Sequence, residues 1–355
     1  MVDRISVGIT GQNGFIGNHL FNYLNRQSDI ELKSFTKEYF NDAAALRWFV
    51  ASCDVIVHLA AISRHPDGQF MYDANMQLTR QLIAALEAEH ATPKILFAST
   101  THENRDTLYH ASKRDGLRLL EEWAARNGGS TVCLLMPNAF GPFSRPDYNS
   151  MVATFCHKVT HGETPEIMVD APVKLIHINE LCREIYGVIT GKTPGNVYSP
   201  PHSAEKKVSE ILTLLEHFRE LYLKQGIIPE FHDAFEQNLF NSFHCYIDHR
   251  IFFPLSLEKF GNDDTSSGEN SGGKVSFLNV APGETISHDY HTQKITRLTV
   301  IKGRGKIQIR RVGVEENLEF KLSGKLPSCV DIPVCHTYSI TNIGQDELCL
   351  LCWRT

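Results

Sequence analysis

The sequence predicts an α/β fold, a doubly wound parallel sheet flanked by helices, followed by a smaller all-β domain. Three observations point there. Short apolar runs alternate with amphipathic stretches up to about residue 240, a glycine-rich turn follows the first of those runs, and beyond residue 274 short alternating segments replace the helical period. At roughly 150 residues per domain, 355 residues make two domains. The expected boundaries are 1–244 and 245–355.

In chain order, Ile5 to Thr10 reads as a strand and Phe15 to Leu24 as a helix with Phe15, Ile16, Leu20, Phe21 and Leu24 on one face. Asp54 to Ala60 and Lys94 to Ser99 are bounded apolar runs of strand length, separated by a helical stretch around Asn75 to Glu89. Val132 to Met136 supplies another strand. From Val208 to Leu223 a helical period runs through Ile211, Leu212, Leu215, Phe218 and Tyr222. Gly261 to Lys274 holds four Gly and three Ser with almost nothing apolar, so it reads as a flexible loop or linker. Segments such as Gly305 to Arg311 and Thr337 to Ile343, divided by Gly, Pro and Asn turns, build the all-β part.

With 42% apolar residues the chain can fill two packed cores. Its 35 Lys and Arg against 41 Asp and Glu give a net charge of −6 without a dense basic run, which argues against nucleic acid as a partner. No stretch approaches the ~18 apolar residues of a membrane span, and Met1 to Ile5 lacks the layout of a signal peptide, so the expected location is the cytoplasm, with no membrane partner. Nine cysteines in an irregular scatter read as buried free thiols.

Gly11, Gly14 and Gly17 fall between the first strand and the first helix, where a dinucleotide pyrophosphate meets bare backbone N–H groups and a helix N-terminus. Phe15 and Ile16 open that helix. His58-Leu-Ala-Ala61 follows at the end of a later strand, and Leu59 and Ala60 within it are expected cofactor contacts. After the second strand no acid stands ready for an adenosine ribose, whereas Lys37 can meet a 2′-phosphate. NADP is therefore the expected cofactor, with NAD the alternative.

Tyr109 and Lys113 lie four residues apart on one helix face, an ammonium beside a phenol whose ionisation it eases. Thr100, nine residues earlier at a strand end, can give a second hydrogen bond to a carbonyl oxygen. Tyr290 and Lys294 repeat the spacing in the all-β half, without such a strand behind them, and read as structural.

This succession resembles the extended short-chain dehydrogenase/reductase family, nucleotide-sugar epimerases and dehydratases among them, over roughly residues 1–190. The resemblance implies a Rossmann domain, a catalytic triad of Thr100, Tyr109 and Lys113, cofactor contacts at the three glycines, a supporting role at the active site for Asn75, and a loop from Pro137 to Pro142 that cups the nicotinamide through Pro137 and Asn138. The arginine often found just before that loop is here Leu135 or Met136.

Arg145 to His157 is similar to a segment of capsular-polysaccharide enzymes that join such a reductase to a C-terminal cupin, a jelly-roll barrel. That likeness implies a UDP-linked 2-acetamido-2,6-dideoxy-4-ketohexose reduced at C4, substrate contacts at Asn75, Asn138, Arg145 and Asn149, and a homodimer. Aligning Gly283 and Gly303 with the cupin metal pattern places Asp289, His291, Thr296 and Tyr338 at the ligand positions. That set offers two good ligands, so no metal is expected. Two alternatives stand beside the reductase: a bifunctional enzyme whose cupin epimerises C3, and a non-catalytic cofactor-sensing or scaffold protein.

Overall fold

The computed structural model describes residues 4–101, 106–191, 195–256, 274–326 and 328–355. The chain forms two compact units that interleave in sequence: Met1–Phe140, Asp147–Ser150 and Pro172–Lys206 make the first, and Gly141–Pro146, Met151–Ala171 and Lys207–Thr355 the second. The expected 261–274 linker lies outside the described residues except for Lys274, which begins a strand.

In the first unit the elements run β1 (Ile5–Thr10), α1 (Phe15–Leu24), β2 (Ile30–Lys33), α2 (Ala43–Ala51), β3 (Val55–His58), α3 (Gly68–Ala88), β4 (Lys94–Thr100), α4 (Leu108–Asn127), β5 (Ser130–Met136) and β6 (Asn138–Phe140). After α5 (Met151–Thr160) of the second unit, the first resumes with β7 (Pro172–His177), α6 (Ile178–Ile189), β8 (Val197–Tyr198) and β9 (Ala204–Lys207). The main sheet has the order β2-β1-β3-β4-β5-β8 with all five pairings parallel.

Strand alternation feeds two cores, one on each face of that sheet. Val7, Ile9, Val55, Val57 and Leu96 pack with Leu20 and Leu24 of α1 and Leu181 and Ile185 of α6. Ile56, Ile95 and Phe97 point the other way, onto Leu46 and Phe49 of α2, Leu82 and Leu86 of α3, and Leu120 and Trp123 of α4. Gly8 is glycine for a steric reason: a Cβ there would stand 2.3 Å from the Phe49 ring. Because β2 and β3 flank β1 on opposite sides, the strand order reverses beside the C-terminal end of β1, the place where open α/β sheets bind ligands.

The expected strands and helices are present, with some bounds moved. The helix around Asn75 to Glu89 begins at Gly68, where Asp67 caps it by accepting from Gln69 N at 2.9 Å and Phe70 N at 3.0 Å. The second strand stops at Lys33, and Lys37 opens a short 3₁₀ turn, Lys37–Asn41. Part of the Pro137 to Pro142 loop is a strand, β6, paired in parallel with β7.

The second unit combines α5 with α7 (Val208–Phe218), α8 (Ala234–His244), α9 (His249–Phe252) and strands β10 (Leu255–Ser256), β11 (Lys274–Val280), β12 (Thr285–His288), β13 (Thr296–Lys302), β14 (Arg304–Arg311), β15 (Asn317–Ser323), β16 (Ser328–Ile332), β17 (His336–Asn342) and β18 (Leu348–Arg354). These strands form two antiparallel sheets, β10-β16-β13-β18-β11 and β12-β17-β14-β15. The helical period after Val208 holds as an α-helix to Phe218 and then widens into a π turn, Arg219–Leu223. Within that turn the Tyr222 hydroxyl donates to Asp331 at 2.6 Å and accepts from His244 Nε2 at 2.7 Å. All nine cysteines are free thiols, six of them buried.

Candidate active site

Thr10 ends β1 and Gly11 takes a left-handed φ of 76°. A Cβ on Gly11 would come 2.8 Å from Ala60 N, and one on Gly17 would stand 2.2 Å from the Gly11 carbonyl oxygen. The turn therefore closes only with glycine at both places. Gly14 N donates to Gly11 O at 3.0 Å and Gly14 serves as N-cap of α1 without a side-chain cap. By contrast α2, α3 and α4 are capped by Asp42, Asp67 and Thr107. The bare N–H groups at the start of α1, including Phe15 and Ile16, carry the positive end of the helix dipole toward the turn and suit a pyrophosphate.

The β3 end is tied to this turn. Leu59 N donates to Thr10 O at 3.1 Å, Ala60 N to Thr10 Oγ1 at 3.3 Å, and Thr10 Oγ1 is 2.7 Å from His58 Nδ1. Burial, and then the Lys113 charge, push His58 down to about 3, so it is neutral at physiological pH. Gln12 Oε1 accepts from Phe35 N at 3.4 Å, fixing the chain just past β2, while Lys37 is exposed two residues further on.

On α4, Lys113 is buried and its Nζ sits 5.0 Å from the centre of the Phe97 ring and 5.9 Å from that of Tyr109. Burial lowers Lys113 to about 8, with a smaller opposing effect from Cys133, and it is still cationic at pH 7. Tyr109 is raised, first by burial and then by Tyr148, so its hydroxyl keeps its proton and can act as an acid. Thr100 ends β4, in register with Met136 of β5.

Asn75 is buried, with its amide engaged inside the protein: Oδ1 accepts from Ile62 N at 2.7 Å, and Nδ2 donates to Ile62 O at 3.0 Å and Ser112 Oγ at 3.1 Å. It clamps the loop after β3 onto α4. The Asn149 amide donates to Ser63 Oγ in that same loop, and Arg64 donates to Tyr148 O at 2.6 Å. Pro137 is buried, while Asn138 is exposed and donates to Lys174 O at 3.3 Å. Arg145 belongs to the second unit. Beyond the residues that motifs single out, Thr10, Gln12, Phe97 and Ser112 also take part here. Gln12 stands inside the glycine turn and Ser112 directly before Lys113, and those neighbours are their signal in the sequence.

In the barrel the expected register is corrected. His288, not Asp289, pairs with Tyr338, and the two rings stack with centroids 4.7 Å apart and planes 16° from parallel. Strand side chains alternate, so Ile286 and His288 face inward and Asp289 is exposed. Arg354 Nη2 donates to the Tyr338 hydroxyl at 3.5 Å. His288 with His291 close enough to act on it, the Tyr338 phenol and the Arg354 guanidinium do not fit a divalent cation: the donors are too few and the arginine repels it. Among the described residues no group of three His, Cys, Asp or Glu is arranged to hold a metal, and no helix is long and apolar enough to cross a membrane.

Three kinds of likeness bear on this geometry. Residues 266–355 match the family model described as "Polysaccharide biosynthesis C-terminal domain". A Pseudomonas aeruginosa protein named UDP-2-acetamido-2,6-beta-L-arabino-hexul-4-ose reductase is 27% identical, over 98% of this chain and 94% of its own length. Among solved structures, the capsular polysaccharide assembling protein CapF from Staphylococcus aureus superposes with a TM-score of 0.62 at 26% identity, covering 99% of this chain and 96% of that one. The RMD structure from Pseudomonas aeruginosa, complexed with NADPH, shares the fold with a TM-score of 0.58 at 18% identity, over 68% of this chain and 98% of its own. Residues 7–199, more than half of the sequence and the whole setting of the glycine turn and the Tyr109 helix, match one further model, and on that ground the chain belongs to the NAD dependent epimerase/dehydratase family.

Proposed function

We propose that this protein is an NADPH-dependent reductase of the C4 ketone of a UDP-2-acetamido-2,6-dideoxy-4-ketohexose, serving capsule or O-antigen precursor synthesis. The observation that carries the reading is the placement of Tyr109 and Lys113 on α4, one turn apart and with the ammonium 5.9 Å from the phenol ring, in the unit whose glycine turn suits a dinucleotide. Likeness to a reductase acting on a 4-ketohexose of this class, over nearly the full length of both chains, supports the substrate.

In this reading Gly11, Gly14, Gly17 and the first N–H groups of α1 hold the pyrophosphate, Lys37 the 2′-phosphate and Lys113 the nicotinamide ribose. Leu59, Ala60, Pro137 and Asn138 line the remaining path of the cofactor, which when bound supplies a hydride to C4. Tyr109 gives its hydroxyl proton to the ketone oxygen while Thr100 donates a hydrogen bond to that oxygen, so the product is an alcohol. Lys113 lowers the cost of the phenolate left on Tyr109. Solvent then returns the proton, and one ketone, one NADPH and one proton become one alcohol and one NADP⁺. Asn75 holds the loop after β3, and Asn149 contacts the nucleotide sugar. Residues 1–244 form the reductase module and 245–355 the cupin, in a cytoplasmic homodimer.

The test is NADPH oxidation by the purified chain with C3 and C5 epimers of the UDP-4-keto sugar. Oxidation of one NADPH per ketone with at least one epimer is expected. No oxidation with any of them overturns the reading.

A further inference from the structure

The polar end of the barrel interior holds charge that the reductase chemistry does not use. Along β18, Leu348, Leu350, Cys352 and Arg354 share one face, and along β13 Thr296, Leu298 and Val300 do the same. The apolar rows end together, with Arg354 in register opposite Thr296 and His288 opposite Tyr338. Among the described residues the Arg354 side chain makes one hydrogen bond, to the Tyr338 hydroxyl at 3.5 Å, and pairs with no carboxylate. Its Nε is buried without a partner, and so is Nε2 of His288.

Arg354 is half-buried, and its closed-off Nε is a donor that neither water nor a described side chain satisfies, which is unfavourable for a charged group. The neighbouring groups deepen the imbalance: His288 lies below its ordinary value through burial, then through the charge of Arg354, then through His291. Cation, imidazole and phenol thus converge on one place with spare donors, and among the described residues no carboxylate pairs with the Arg354 guanidinium.

We propose that this end of the barrel is a receptor for a small oxyanion, a carboxylate or phosphate group, held by the guanidinium of Arg354 with His288 and Tyr338 beside it. The planar guanidinium fork matches two oxygens of such a group, and the anion supplies a negative charge that no described side chain gives Arg354. The His288 and Tyr338 rings stack face to face, so they form one wall of the site and leave no room for a sugar ring between them. This site stands independently of the reductase assignment.

The experiment uses the full chain saturated with NADPH, so that the glycine turn is occupied, and titrates pyrophosphate and malonate by calorimetry into wild type, Arg354→Gln, Arg354→Lys and Tyr338→Phe. Saturable binding of at least one anion to the wild type is expected, weakened at least tenfold by Arg354→Gln and less by Arg354→Lys or Tyr338→Phe. Which anion binds separates phosphate from carboxylate. Without ligand, Arg354→Gln is expected to melt at or above the wild-type temperature, since it removes an unpaired charge. Equal binding by wild type and Arg354→Gln, or binding of neither anion, overturns the proposal. So does a lower melting temperature of ligand-free Arg354→Gln, which would make the arginine a structural one. Stoichiometric zinc retained by the wild type and lost in His288→Gln overturns it as well, by making the site a metal centre.

Discussion

Lys113 rests over the face of Phe97, its Nζ 5.0 Å from the ring centre, and His58 stacks on the same ring with centroids 5.8 Å apart. A buried ammonium here is stabilised by an aromatic quadrupole from β4. Facing it are His58 on β3, Cys133 on β5 and Tyr109 on its own helix.

Phe97→Leu removes that stabilisation, worth about 1–2 kcal/mol at a desolvated site. Lys113, already down to about 8, then loses its proton at still lower pH. The alkaline limb of the kcat/KM profile is expected to move down by about one pH unit. A limb that stays in place contradicts a role for the ring in holding the charge.

Gly17→Ala puts a methyl 2.2 Å from the Gly11 carbonyl oxygen, and one of the two must move. The turn then no longer presents its N–H groups together, and the NADPH dissociation constant measured by fluorescence quenching is expected to rise at least tenfold, by the general cost of overpacking of about 1–3 kcal/mol. Affinity within twofold of wild type contradicts the placement of the pyrophosphate.

The second unit is knit by a buried ion pair. Arg297 meets fully buried Asp331 through two hydrogen bonds, 2.7 and 2.8 Å, and Tyr222 donates to the same carboxylate. Asp331→Asn strands the guanidinium and is expected to cost about 3–5 kcal/mol in denaturant unfolding. Arg297→Met with Asp331→Leu, which removes both charges, is expected to recover most of that loss. A double variant as unstable as the single one contradicts the charge argument.

Acid weakens the fold through its buried imidazoles. Burial pushes His58 and His177 down to about 3 and His249 and His336 to about 4, and His244 lies well below its ordinary 6.5. Each pKa is lower in the folded chain than in the unfolded one, so between pH 6.5 and about 4 the unfolded chain binds the extra protons. Stability from these groups is present above pH 6.5 and is lost as pH falls, at about 1.4 kcal/mol per unit for each histidine. Urea midpoints measured at pH 7.5 and 5.5 are expected to fall accordingly, and equal midpoints contradict it.

Local signals carried the first unit well. Strand Ile5–Thr10 and helix Phe15–Leu24 have the bounds their periodicity predicts, because each ends at a glycine turn or a polar run. The shared helix face of Tyr109 and Lys113 follows from spacing alone. Long-range pairing was harder to read. β6 exists because β7, thirty-odd residues later, pairs with it, and the inward face of β12 depends on its register with β17, which moved His288 inward in place of Asp289. The π turn that brings Tyr222 to Asp331 answers to a partner 109 residues away, beyond the reach of any periodic window.

The central claim is that the Tyr109 hydroxyl is the proton donor to the substrate ketone. Its most direct test is Tyr109→Phe, with NADPH affinity and single-turnover reduction of the UDP-4-keto sugar measured on the same preparation. NADPH affinity within about twofold of wild type and reduction slowed by about 10³-fold or more are expected from the loss of a positioned acid. Reduction at the wild-type rate would contradict the account.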